Sequence, residues 1–231
     1  MNASPRSTDF WRSRLYIPNY RIREAARYAR IAPQTVASWH GAPQSNRRST
    51  LSAKDKGAAL SYLQLIEVAV VAAFRKAGVS LPKIRAAREY VSKQLEAEFP
   101  FAEYRFKTDG RDLWMDYAQI EADMGDKKLL KATQKGQLAW SDIIGKLQEF
   151  DYDNDLAVRW HVGGKDGQVV IDPRIQFGAP TVAGVPTWVF KGRFEAGEEV
   201  DDTADDFGVS NSSVLAALAF EGIETGRLTR H

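Results

Sequence analysis

The chain contains no cysteine. Disulfide staples, thiolate zinc sites and thiol chemistry are therefore excluded. Long apolar runs are missing too: the longest, Val68 to Phe74, falls far short of the roughly 20 residues that a membrane-spanning helix needs. The first residues carry charge but no apolar secretory core, so a reducing, cytoplasmic location without membrane attachment is the expectation. The signatures of metal and nucleotide chemistry are lacking as well. Asp151, Asp153 and Asp155 read as a polar turn without the glycine and terminal glutamate of a calcium loop, and His161 has no His or Cys nearby to share a metal. The glycine-rich GGKDG at 163–167 is too short for a phosphate-binding loop and lacks its Lys-Ser/Thr ending. No G-x-S-x-G nucleophile elbow occurs. No catalytic residue, metal ligand or cofactor is expected, and an enzyme is the remote alternative.

What is present is unevenly distributed. The net charge of the 231 residues is only +2, yet residues 1–56 hold eleven Lys or Arg against three acidic residues. Phosphate backbones attract such a concentration, whereas the balanced remainder has no reason to approach nucleic acid. Arg6, Arg12 and Arg14 also fit a simple solubilising arm. Arg21, Arg23, Arg27 and Arg30 fit it less well, because they ride on a patterned stretch, Arg21 to His40, RIREAARYARIAPQTVASWH. Read as helix, turn and helix, it brings Ala26, Ile31, Val36 and Trp39 inward, with Ala26 small enough for a close crossing. Gln34, Thr35 and Ser38 then point outward, where such side chains reach base edges or phosphates. An ordinary helical hairpin has the same pattern.

Residues 41–57, GAPQSNRRSTLSAKDKG, read as a loop or short hairpin; as a wing, it would lay Arg47, Arg48, Lys54 and Lys56 along flanking phosphates, and a disordered linker has the same composition. A helix follows from Leu60 to Ala77 with an apolar face of Leu63, Ile66, Val70, Val71 and Phe74, stopped at Gly78. A second starts at Ser80-Leu81-Pro82 and ends at Glu98-Phe99-Pro100. So much apolar helix invites a second subunit, hence a homodimer, or else burial within the same chain. From Phe99 to Tyr117 a period of two around Asp109-Gly110 suggests a hairpin, Leu138 to Phe150 a helix, and Leu156 to His161 and Gln168 to Ile171 two strands. The aromatics Tyr104, Phe106, Trp114, Tyr117, Trp140 and Trp160 suit a core, or a pocket in a ligand-sensing regulator. DPRIQFGAPTVAGVPTWVF reads as a turning loop leading to a helix at Thr187 to Phe194. A second helix-turn-helix-like pair follows, Val200 to Phe207 and Ser210 to Glu221, with Ala204, Val209, Val214 and Leu218 inward. Its surface is acidic from Glu195 to Asp206 and would repel phosphate.

On YRIREAA, APQTVASWH, the basic wing and AFRKAGVSLPKI, residues 20–95 resemble the MerR-type winged helix-turn-helix heads. Arg30 stands where their turn usually has glycine, and Ala37 where an arginine often follows Thr-Leu. Residues 168 to about 221 resemble the DUF433 domain through VVIDPRIQFGAPTVAGVPTWV, RFEAGEEVDDTADDFGVS and VLAALAFE. With GQLAWSDI and AVRW between them, nearly the whole chain is similar to the VapB45-like antitoxins. The expected fold is mainly α with small β elements. It comprises a basic arm at 1–19, a winged helix-turn-helix at 20–98, an α+β connecting module at 99–167, a three-helix DUF433-like domain at 168–222 and a tail at 223–231.

The resemblance implies a DNA-binding antitoxin of a type II toxin-antitoxin pair, with a VapC-like PIN-domain ribonuclease as its toxin and its own operator as double-stranded target. Carried over, base reading falls to Gln34, Thr35 and Ser38, and phosphate contact to Arg21, Arg47 and Arg48, with Lys54 in the wing. Trp39 stands where such heads carry an aromatic that packs and can touch the backbone, and His40 could contact phosphate. A PIN ribonuclease works through carboxylates that hold metal, so an inhibitor needs a mobile cation. Arg227 and Arg230, between Gly226 and the end of the chain, are the candidates; the alternative is an ordinary frayed terminus, with the toxin bound by the acidic 195–206 face or the middle module.

Overall fold

The structure is a computed structural model that describes residues 10–40, 50–55, 57–103, 147–154 and 156–224. Residues 104–117 of the expected hairpin and most of the expected helix at 138–150 lie outside the described residues, as do Arg6, Arg47, Arg48, Lys56, Arg227 and Arg230, while 99–103 form a turn closed by the Ala102 and Glu103 N–H groups on the Phe99 carbonyl. The chain divides into two compact units, residues 1–157 and 158–231.

In the first unit, α1 (Phe10–Ser13), α2 (Ile22–Ala29) and α3 (Pro33–Trp39) precede two longer helices, α4 (Tyr62–Lys76) and α5 (Leu81–Leu95). Helix α4 starts where Ser61 and Gln64 cap each other: the Gln64 N–H donates to Ser61 Oγ at 3.3 Å, and the Ser61 N–H to Gln64 Oε1 at 2.9 Å. It ends where Gly78 takes φ 87 and the Val79 N–H reaches back to the Phe74 carbonyl at 2.9 Å. Every residue from Tyr62 to Ala72 is buried, so α4 is the central element of this unit rather than an amphipathic face. The exposed apolar stripe that motivated a second subunit is thus absent from α4. It is covered by its own chain, including Leu15, 1% exposed, and Phe101, whose ring centroid lies 6.0 Å from that of Phe74. Arg12 also has an intramolecular role, donating to Asp153 Oδ2 at 2.9 Å.

Two local readings are corrected at the end of this unit. Phe150 does not close a helix but opens a strand, β1 (Phe150–Asp153), and Asp151 and Asp153 lie in that strand rather than in a turn. The turn is made at Asn154, with φ 49. Aromatic Phe150 and Tyr152 suit a pleated surface, their rings in edge contact at 6.5 Å, and this outweighs the polarity of the intervening aspartates.

Strand β2 (Leu156–His161) contains the division between the units. It is followed by β3 (Val169–Ile171), a single 3₁₀ turn (Gln176–Gly178), β4 (Pro180–Val182) and β5 (Val185–Pro186). The five strands of the sheet follow one another in chain order, and the pairs from β2 to β5 are antiparallel, with Trp160 opposite Ile171 and Thr181 opposite Pro186. The sheet is larger than the small β elements expected from sequence, because the stretch read as a turning loop supplies two more strands. Its prolines occupy places a sheet tolerates, the first residue of β4 and the last of β5. Three helices complete the second unit: α6 (Thr187–Glu195), α7 (Val200–Phe207) and α8 (Asn211–Phe220). They bury Phe190, Ala204, Val214, Ala217 and Leu218, while Trp160, Ile171 and Val182 are buried on the strands. Among the described residues no helix is long and apolar enough to cross a membrane.

Candidate nucleic-acid interface

Helices α2 and α3 pack on each other, and α2 packs on α4. The first begins at Arg21, whose N–H donates to Glu24 Oε2 at 2.6 Å, so the one acidic residue of the helix also lies at its positive N-terminal end. It ends at Arg30, which adopts the left-handed conformation itself, φ 55 and ψ 48, where glycine would be unstrained. The tight turn is closed by the Ile31 N–H on the Ala26 carbonyl at 2.9 Å. Pro33 then opens α3 in the first turn, where a missing N–H costs nothing.

The inward set agrees with the sequence reading in three of four positions: Ala26, Val36 and Trp39 are buried, while Ile31 is only half-buried. Outward, Gln34 and Ser38 are exposed and Thr35 is half-exposed. Ser38 Oγ donates to the Thr35 carbonyl at 2.8 Å, which leaves the hydroxyl oxygen able to accept. Arg21, Arg23, Arg27 and Arg30 are all exposed, with the Arg27 guanidinium 5.2 Å from the centre of the Tyr28 ring. These seven side chains are thus carried by one short helix pair.

The remaining sequence candidates have other surroundings. Trp39, 4% exposed, is a packing residue in this structure. His40 is half-buried, and burial, aided by nearby Lys54, pushes its pKa down to about 4, so the imidazole is neutral at pH 7. A neutral ring offers phosphate a hydrogen bond at most. The Lys54 ammonium donates to the carbonyls of Ala58 at 2.6 Å and Asp55 at 3.0 Å, ordering the approach to α4.

Sequence reasoning missed the polar cluster that holds this approach. Glu67 is wholly buried, in the middle of α4. Its Oε2 accepts from the Ser52 N–H at 2.9 Å and from Ser52 Oγ at 2.5 Å, while Oε1 faces Arg88 Nε at 3.6 Å. Arg88 also donates to Ser52 Oγ at 2.9 Å and to the Glu98 carbonyl at 3.2 Å, and Arg85 Nε to Thr50 Oγ1 at 2.8 Å. Burial raises the Glu67 pKa, and Arg88 and Ser52 oppose that rise. The cluster clamps residues 50–52 onto α4 and α5. One signal was available: Glu67 is the only charged residue between Leu60 and Phe74.

The second unit holds a contrasting carboxylate. Asp172 is wholly buried, and its Oδ1 accepts from the Arg174 N–H at 2.9 Å and Arg174 Nε at 2.8 Å. Oδ2 accepts from Arg174 Nη2 at 2.7 Å and Arg159 Nε at 3.0 Å. Burial pushes the carboxyl up, but these hydrogen bonds outweigh it and the pKa is lowered. The cluster pins the Asp-Pro-Arg corner that leads into β4. On α6, Arg193 donates to Glu198 and Asp206, each at 2.7 Å, and its guanidinium lies 5.1 Å from the centre of the Phe207 ring.

No protein-family model matches the chain. It is 28% identical over 227 residues to the protein named "Putative antitoxin VapB45" of Mycobacterium tuberculosis (strain ATCC 25618 / H37Rv), an alignment covering 89% of this chain and 94% of that protein. Its fold is similar to that in the X-ray crystal structure of Rv2018 from Mycobacterium tuberculosis, with a TM-score of 0.66 and 25% sequence identity over 89% of this chain and 99% of the other. Over most of its length, then, the chain is similar to a protein named as an antitoxin and has a mixed fold, largely helical with a substantial sheet.

Proposed function

We propose that the chain is the DNA-binding antitoxin of a type II toxin-antitoxin pair, which neutralises a PIN-domain ribonuclease and represses its own operon. The observation that carries this reading is the similarity to a protein named as an antitoxin, which runs through both compact units rather than through one of them. The DNA half of the proposal is supported by the exposed Gln34 and Ser38 on α3 beside four exposed arginines of the same helix pair. In this reading a MerR-like head at 20–98 acts as a homodimer, placing two α3 helices about 34 Å apart on successive major-groove faces. Gln34, Thr35 and Ser38 read bases, Arg21, Arg47 and Arg48 hold phosphates, and the tail at 223–231 offers Arg227 to the toxin's acidic pocket.

Competition gel shifts at fixed salt test it. Changing Arg47 and Arg48 together to alanine should weaken specific and random duplexes alike, whereas Gln34→Ala or Thr35→Ala should mainly reduce discrimination between them. A head that binds no duplex from its own promoter region would sink the repressor reading.

A further inference from the structure

Helix α6 carries a face left exposed among the described residues. Trp188, Gly192 and Glu195 are spaced to lie on one side of the helix, and all three are exposed, Trp188 at 63%. A tryptophan left this open forgoes the burial that its large apolar surface would otherwise provide. Gly192, one turn beyond it, has negative φ, and a Cβ added there would meet nothing within 4 Å. Among the described residues nothing therefore requires glycine at this mid-helix position, where it is a poorer helix former than alanine. An indole with a bare strip of backbone beside it suits close approach by another surface.

A second exposed aromatic stands at the same end. Thr181 pairs with Pro186, so the chain entering β4 and the chain leaving β5 come off one end of that hairpin. The entering chain carries Phe177, 70% exposed, in a turn where Gln176 and Phe177 both hold left-handed backbone, φ 47 and φ 54. Non-glycine residues rarely adopt this conformation, so the exposure of the ring comes with local backbone strain.

The charge around α6 selects the occupant. Arg193 is occupied by Glu198 and Asp206, and Lys191 lies 3.7 Å from Glu195, whereas Glu199, Asp201, Asp202 and Asp205 are exposed on and beside α7. This surround repels nucleic acid and anionic bilayers, and it repels itself in a two-fold pairing of identical faces. We infer that the Trp188–Gly192 face of α6, with Phe177 at its end, docks the toxin partner, which presents an apolar pocket rimmed by lysine and arginine. The assignment rests on the antitoxin reading, and it places the main partner contact on the second unit rather than on the tail alone.

The test uses the full-length chain and the product of the adjoining gene, titrated by calorimetry. Trp188→Ala should weaken the complex at least tenfold, as buried tryptophans at interface centres do. Gly192→Gln, which favours helix but fills the strip, should also weaken it at least tenfold while the thermal transition stays the same or rises. Binding by both variants as tight as the parent's would reject this surface and leave the antitoxin reading standing. A parent chain that does not bind the adjoining product would overturn both. Trp188→Ala halving the mass of the free protein by light scattering would show the occupant to be a second copy and reject the toxin assignment.

Discussion

The helix pairs α2–α3 and α7–α8 share one local design at matching spacing. Ala26, Ile31 and Val36 in the first correspond to Ala204, Val209 and Val214 in the second, and in each pair the alanine and the second branched residue are buried while the middle residue is half-buried. Each first helix ends on a left-handed residue, Arg30 at φ 55 and Gly208 at φ 62. The next N–H closes the turn onto the equivalent carbonyl, Ile31 to Ala26 at 2.9 Å and Val209 to Ala204 at 3.0 Å. The surfaces are opposite, arginines on α2 and carboxylates on α7. Backbone geometry alone therefore does not distinguish a surface that attracts phosphate from one that repels it; surface charge does.

The largest expected effect comes from exchanging those charges. Replacing Arg21, Arg23, Arg27 and Arg30 by glutamate gives α2 the electrostatic character of α7. Because all four are exposed, folding should survive while affinity for any duplex falls on the order of a thousandfold at ~0.1 M salt. Fluorescence anisotropy with operator and random DNA would measure it. Retention of affinity within tenfold would mean that this basic face does not contact the backbone.

Next in size is the contrast between the two buried carboxylates. Asp172 accepts four hydrogen bonds from arginines, whereas Glu67 accepts two from Ser52 and has its arginine at 3.6 Å. Asp172→Ala should cost about 3 kcal/mol in urea unfolding, the low end of the range for a broken buried pair because both arginines remain partly hydrated. Since the folded pKa of Asp172 is lowered, its contribution is present above the unfolded value near ~4 and is lost as pH falls through the folded value. The difference between parent and variant should shrink in that acidic window.

Smaller effects are expected at the two left-handed positions. Gly208→Ala should destabilise by about 1 kcal/mol through backbone strain alone, because an added Cβ there meets nothing within 4 Å. Arg30→Gly should change stability in the opposite sense, by about 0.5–1 kcal/mol. Thermal denaturation of both variants decides the point: equal shifts of one sign would show that backbone strain is not the common term.

Glu67→Gln is expected to have the smallest effect at neutral pH, within about 1 kcal/mol of the parent. Its folded pKa is raised, so the parent carries a penalty above that value that disappears as pH falls toward the unfolded value near ~4.3. The parent should therefore gain stability relative to the glutamine variant on mild acidification, opposite in sign to Asp172. A pH-independent difference would place Glu67 in its charged form throughout.

Much of this was legible in the chain, and the parts that were not share a cause. Both helix pairs, α4 and α6 announce themselves by apolar spacing and terminators such as Gly78 and Gly208, because helical bonds and caps are made between near neighbours in sequence. Strands β4 and β5 passed as loop because a strand of two or three residues has no readable period, and its bonds go to partners found only after folding. The outward position of Gln34 and Ser38 follows from helical period, but the withdrawal of Trp39 into the core and the neutral state of His40 depend on what covers them.

The sequence by itself determined the short-range features: where α2, α3, α7 and α8 begin and end, which small residue allows each crossing, and the opposite charge of the two pairs. Tertiary structure alone decided that α4 is buried on all sides, that Glu67 clamps residues 50–52, and that Asp172 is ionised between two arginines. It also decided that Trp188 stays open. Burial, desolvation and hydrogen-bond partnership depend on groups distant in the chain, which no local pattern of residues encodes.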